Sequence, residues 1–223
     1  MDFYTNGLKE LISDLKRNNR VELLMEKIPI RHTSDKKIIK EIGYINEEFH
    51  VDYKNFLFDV YDMFGGIQLH WNYLTLDGVN SGGEIHFLNL NQCLYSDFDL
   101  SISGIDENEK KLLSAFCPFD DHPRAGDGIM AGFIIKEGQH HPEIWLYDNG
   151  TVNKLQLDFS QYLNYLIATG GAYYWQYLFV DKSVFDNNDF LKEQIVRLKN
   201  TLMEIFLDKL NDEVKKRIDL ILK

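Results

Sequence analysis

The sequence is poor in the residues that mark special classes of protein. Of 223 residues only four are proline and two are cysteine. With 44% hydrophobic and 26% charged residues, this composition excludes the disordered and fibrous classes and predicts an ordinary globular chain. Cys93 and Cys117 form no CxxC pair, and a single bridge is too thin a framework for a disulfide scaffold. Reduced thiols and a cytoplasmic setting are therefore expected. No stretch approaches the ~20 consecutive apolar residues that a membrane helix needs. The opening MDFYTNGLKELISDLKRNN carries charge at almost every turn and holds no apolar signal-peptide core. Catalytic signatures are missing too: there is no GxSxG elbow, no P-loop, no GxGxxG opening a helix after a strand, and no HExxH. No cofactor is expected.

Positive charge is scarce where the chain is longest. Residues 1–40 hold nine bases and six acids, a net of +3, whereas residues 41–160 hold six bases and twenty acids, a net of −14. From Gln161 onward the chain has nine of each. An acidic middle repels phosphate backbones and anionic lipid, so neither nucleic acid nor membrane is an expected partner. It attracts a basic protein instead. The plainer reading of the same charge is a solvated surface that maintains solubility.

What is present is periodic. Leu8, Leu11, Ile12 and Leu15 share one helical face, with Thr5 as an N-cap. HTSDKKIIKEIG predicts a second helix, begun at Thr33 or Ser34 and stopped at Gly43. A third is predicted over VDYKNFLFDVYDMFGG, ended by Gly65 and Gly66. The period then changes to two: Ile67, Leu69, Trp71 and Tyr73 alternate with polar neighbours as in a half-buried strand, and GVNSGGEIHFLNL supplies a turn and a second strand to pair with it. DENEKKLLSAFCPF predicts a helix that stops before Pro118. GIMAGFIIK, PEIWLYDNG and TVNKLQL read as consecutive strands, the last two joined by an Asn-Gly turn, in an antiparallel meander. Asp158, with Gln161 three residues on, caps a helix that ends at Gly170 and Gly171. AYYWQYLF continues as helix or strand. From Asp189 on, the apolar spacing predicts one long amphipathic helix, or two if Asn211 caps a second. The stretch could also form a dimer seam, but a phase break near Lys209 favours packing on the chain's own sheet over a coiled coil.

The stretch FDDHPRAGDG and the later HHPE hold most of the chemistry. Asp120, Asp121, His122, Asp127, His140, His141 and Glu143 could converge as a metal site, and a metal-dependent hydrolase using Asp120, His122, Asp127, His140 and His141 is the enzymatic alternative. Against it stand the absence of ligand spacing and the turn positions of these residues, where acids and histidines are common for local reasons. Asp120 and Asp121, adjacent in an extended strand, point to opposite faces and make a poor acid/base couple. Cys117, beside Phe116 and Pro118, reads as a small buried side chain. His70, between Leu69 and Trp71, reads as a sheet residue.

Taken in order, a helix ending in glycine (DYKNFLFDVYDMFGG), a Trp-bearing strand (IQLHWNYL), an acidic Gly-Asp-Gly turn (FCPFDDHPRAGDG) and a capped DFSQYLNYL helix resemble the SUKH superfamily, the group of Syd-like and Knr-like proteins. The resemblance covers residues 41–169. It implies an α+β fold with a mixed, largely antiparallel sheet flanked by helices. It matches Gly66, Trp71, Gly126, Asp127, Gly128, Phe159 and Leu163 to structural roles, with no catalytic residue to carry over. Many members are immunity proteins that neutralise a toxin domain, frequently a nuclease; others are regulatory scaffolds. The expectation is thus one α+β domain over 1–223, with an N-terminal helical segment (1–40), a core (41–180) and a C-terminal helix or helix pair (186–223). It is expected to be monomeric or homodimeric and to bind a basic toxin domain. The contact surface is expected at the acidic loops of the sheet edge, Glu84, Asp120, Asp121, Asp127, Glu143 and Asp148, with an exposed Tyr147 as the aromatic anchor.

Overall fold

The first helix forms where the apolar spacing places it: α1 (Asp2–Arg17) buries Leu8, Leu11, Ile12 and Leu15 along one face. A computed structural model describes residues 2–28, 35–52, 66–95, 107–126, 128–206 and 210–223. The helix expected over residues 53–64, and the caps expected at Thr33 or Ser34, lie outside the described residues. The protein is α+β, and its chain clusters into two compact units: Pro29–Ile67 with His86–Lys154, and Asp2–Ile28 with Gln68–Ile85 and Leu155–Lys223.

The first unit is built on α2 (Asp35–Phe49), a short α3 (Leu90–Tyr95), α4 (Glu107–Ser114) and a four-stranded meander. Its strands β4 (Phe116–Asp121), β5 (Ile129–Ile134), β6 (Glu143–Asp148) and β7 (Thr151–Lys154) lie in sequence order, each antiparallel to the next. Asn149 (φ 46) and Gly150 (φ 98) turn β6 into β7, the left-handed pair that an Asn-Gly hairpin requires. Gly43, expected to stop α2, does not. The helix runs on because Ile45 continues the stripe of Ile38 and Ile42, and all three enter one apolar cluster with Val51 and Leu90. Closure comes later, at His50 (φ 50), with the Val51 N–H bonded to the Asn46 carbonyl at 3.1 Å in a Schellman-type end. On one face of the sheet Phe119 stacks with Phe133 at 4.5 Å and Phe87 at 5.6 Å. On the other, Leu112 and Leu113 of α4 cover Phe116, Ile134 and Tyr147.

The second unit sets a three-stranded sheet, ordered β1 (Val21–Lys27), β2 (Gln68–Leu74), β3 (Asn80–His86), among helices. β1 pairs antiparallel with β2 from Val21↔Tyr73 to Lys27↔Gln68, with a bulge between Leu23 and Met25. Leu69, Trp71 and Tyr73 are buried, as their alternation predicts. Gly83 lets the chain pass the indole of Trp71, since a Cβ there would lie 2.7 Å from the ring. The indole Nε1–H in turn donates to the Gly170 carbonyl at 2.8 Å. That carbonyl belongs to the C-cap of α5 (Phe159–Thr169). The helix starts with the expected capping box: Gln161 N–H to the Asp158 carboxylate, and Asp158 N–H back to the Gln161 side chain. AYYWQYLF forms neither a full helix nor a strand. Five buried residues in a row, Trp175–Phe179, take a 3-10 turn, which turns each successive side chain by a third of a circle so that all can face protein. The C-terminal segment is two helices, α6 (Asp189–Phe206) and α7 (Asp212–Ile221), the latter capped by Asn211 accepting from the Glu213 N–H.

Candidate functional site

β4 carries the first acids expected at a surface. A bulge between Pro118 and Asp120 places an extra residue in the strand and re-aims those that follow it. Asp120 consequently turns inward and is 0% exposed, its Oδ1 accepting the His86 N–H at 3.0 Å. Asp121 turns to the opposite face, half-buried, in direct contact with Nδ1 of the His86 imidazole. Asp120 serves the fold and is corrected from the surface. Asp127 lies outside the described residues. Its neighbours Gly126 (φ 63) and Gly128 (φ 76) have the backbone of a tight turn, as expected.

β6 carries the next group. Tyr147, expected as an exposed anchor, is 8% exposed and packs against Phe116 with ring centroids 6.2 Å apart, under α4. The exposed position expected for Tyr147 is therefore corrected. What the expectation misses is that α4 covers that face. Glu143, on the same face, accepts from Lys154 Nζ at 2.6 Å, Lys136 Nζ at 2.9 Å and Trp145 Nε1 at 3.2 Å. Partial burial works against its charge, yet the bonds from Lys154, Lys136 and Trp145 outweigh burial and hold its pKa down at about 2. With two ammonium groups already on it, Glu143 offers little to an incoming cation. Asp148 stands half-buried at the β6–β7 turn, where its Oδ1 accepts from Asn149 Nδ2 at 2.8 Å. Glu84, on β3 in the second unit, is 1% exposed and is likewise corrected from the surface.

The described residues of the enzymatic alternative, Asp120, His122, His140 and His141, do not gather in one place. Asp120 and His122 are buried, whereas His140 and His141 are exposed, with His140 Nδ1 3.8 Å from the exposed Asp52 carboxylate. Among the described residues no three His, Cys, Asp or Glu side chains gather so as to hold a metal ion. Cys93 and Cys117 are free and buried. Burial raises the thiol of Cys117 to about 11 and holds that of Cys93 well above its ordinary value, so neither is an activated nucleophile. Among the described residues no helix is long and apolar enough to cross a membrane.

The feature that sequence reasoning missed lies between α2 and α3 of the first unit. A groove of ≈ 520 Å³ is lined there by Tyr44, Ile45, Leu90, Leu94 and Tyr95, with Glu41, Glu47 and Glu48 along its α2 side. Ile45 and Leu90 belong to the core, so the floor is fixed by packing. Tyr44 and Tyr95 are each 59% exposed. Glu41 pairs with Lys37 at 3.6 Å, but among the described residues Glu47 and Glu48 enter no ion pair. Both stand in the last turn of α2, which holds no basic residue, at the negative end of the helix dipole. The signal was present in sequence as EEF after a helical stripe. An early stop at Gly43 hid it by placing Tyr44, Glu47 and Glu48 in a loop.

Compared with known proteins, the chain matches no family model, no curated protein and no solved structure.

Proposed function

We propose that this chain is a non-enzymatic protein-binding module of the immunity type, similar in design to the SUKH superfamily. In this reading it neutralises a basic, nuclease-type toxin domain by covering that domain's cationic surface. The observation that carries the reading is where the charge lies. The first compact unit holds ten bases and eighteen acids, a net of −8 out of the chain's −11. A nuclease needs cationic groups to hold phosphate, and an acidic module that occupies them gains association rate and specificity through complementarity. The α+β architecture with a meander and a capped helix is in keeping with the resemblance. Free thiols that burial keeps protonated suit a cytoplasmic site of action.

The test is co-expression with a nuclease domain encoded beside this chain. A 1:1 complex is expected at low salt, with suppressed nuclease activity. At about 1 M salt, where the Debye length shrinks to ~3 Å, affinity should fall by at least tenfold. A partner domain that shows no affinity at low salt and keeps its activity removes the proposal.

A further inference from the structure

The acids first expected to meet a partner are largely committed. Asp120 and Glu84 are buried, Glu143 is held by two lysines, and Asp121 touches His86. The groove between α2 and α3 differs on each count. Its floor is apolar and packed into the core, made by Ile45, Leu90 and Leu94. Its walls present two tyrosine rings to solvent, a residue type enriched in binding hot spots. Its rim carries Glu47 and Glu48, unpaired among the described residues, in a helical turn whose own dipole is negative. Like charge at that end of a helix destabilises it, so the pair is not there to support α2. A cation brought to that rim removes the conflict.

Tyr44 already shows the recognition chemistry in miniature. The Lys40 ammonium of the preceding helical turn sits 5.6 Å from its ring centroid, within the range of a cation–π contact.

We propose that this groove is the seat of the partner's recognition segment, and that the segment is cationic and amphipathic. A guanidinium or ammonium reaches Glu47 and Glu48 and faces the Tyr44 ring, while an apolar side chain enters between Leu94 and Tyr95. The inference rests on the basic-partner reading above and adds to it the surface and the chemistry of the contact.

The experiment uses the full chain, isotopically labelled for amide NMR, and a synthetic dodecapeptide of Arg, Leu and Ala patterned as an amphipathic helix. The comparison peptide replaces each Arg by Glu. Saturable shifts are expected at Tyr44, Glu47, Glu48, Leu94 and Tyr95 with the Arg peptide and not with the Glu peptide. The double variant Glu47→Gln/Glu48→Gln should weaken the Arg peptide at least tenfold. A charge-matched control in the second unit, Asp186→Asn/Asp212→Asn, both exposed, should weaken it less than twofold. The amide spectra also report whether each variant is folded. Equal losses in the two variants would mean attraction by net charge alone, and would overturn the groove. Equal binding of the Glu peptide, or no binding of the Arg peptide at low salt, overturns it too. A toxin complex that forms and is indifferent to Glu47→Gln/Glu48→Gln sinks the groove and leaves the function standing. Absence of any such complex sinks the function itself.

Discussion

The two compact units treat charge in opposite ways. In the second, net −3, acids are drawn into the structure. Glu204 accepts the Tyr73 hydroxyl at 2.7 Å, the Leu76 N–H at 3.0 Å and Arg20 at 3.3 Å, and burial together with Glu204 raises Tyr73 to about 12. Arg217 joins the Glu213 carboxylate at 3.0 Å and the Leu178 carbonyl at 3.1 Å, over the Phe179 ring. The first unit has ten bases for eighteen acids, so acids outnumber Lys and Arg by eight. Stability does not call for that surplus, since an excess of one sign disfavours the compact state. The difference separates acids matched by bases from an acidic surplus, of which Glu47 and Glu48 enter no ion pair among the described residues.

The comparison breaks hardest at the aromatic cores. Trp71→Ala removes the indole on which β2, β3 and the α5 C-cap meet, and should cost ~3–5 kcal/mol in a urea melt followed by far-UV circular dichroism. In the first unit Tyr147→Ala should cost ~3 kcal/mol, because the ring is buried under α4. Were Tyr147 an exposed anchor, the loss would stay within about 0.5 kcal/mol, so the same melt decides between core and contact.

Trp71 and Tyr147 also show how far the sequence is legible. Both lie on strands whose period of two is plain. The burial of Trp71 follows from alternation because the polar neighbours Gln68 and Asn72 mark the other face. The burial of Tyr147 does not follow, since it depends on α4, a helix distant in sequence that covers the face alternation leaves outward. The Asp158 capping box, the Asn149–Gly150 turn and the Asn211 cap are local signals, and each stands where it is expected. β1 went unseen: VELLMEK mixes apolar and charged residues on both faces, and a bulge at Leu24 breaks its period. For the candidate site, the sign of the charge was readable but not its disposition. No local pattern reports that a bulge at Phe119 turns Asp120 inward, or that Lys136 and Lys154 converge on Glu143 from seven residues before it and eleven after. The aromatic groove was lost to a single glycine: Gly43 is a stop signal by propensity, and Ile45 overrides it through burial.

Smaller effects sharpen the contrast between charge used and charge unused. Asp158→Ala removes an N-cap in the second unit and should cost ~1 kcal/mol, visible as a lowered midpoint of the urea transition with an unchanged slope.

Glu143 and the pair Glu47 and Glu48 should respond to the same substitution with opposite signs. Glu143→Gln abolishes bonds from two lysines that are about half exposed, and should cost ~0.5–1 kcal/mol at neutral pH. The folded pKa of about 2 lies below the ordinary 4.5, so the carboxylate's contribution is complete above pH 4.5 and fades as pH falls toward 2. Chemical melts of the native chain and of Glu143→Gln at pH 7, 4 and 2.5 should therefore converge on acidification. Glu47→Gln or Glu48→Gln removes an acid that opposes a helix dipole and serves no ion pair among the described residues, so it should stabilise by ~0.3 kcal/mol. A loss of stability at pH 7 instead would assign those acids to the fold and would take from the groove the free charge on which partner recognition depends.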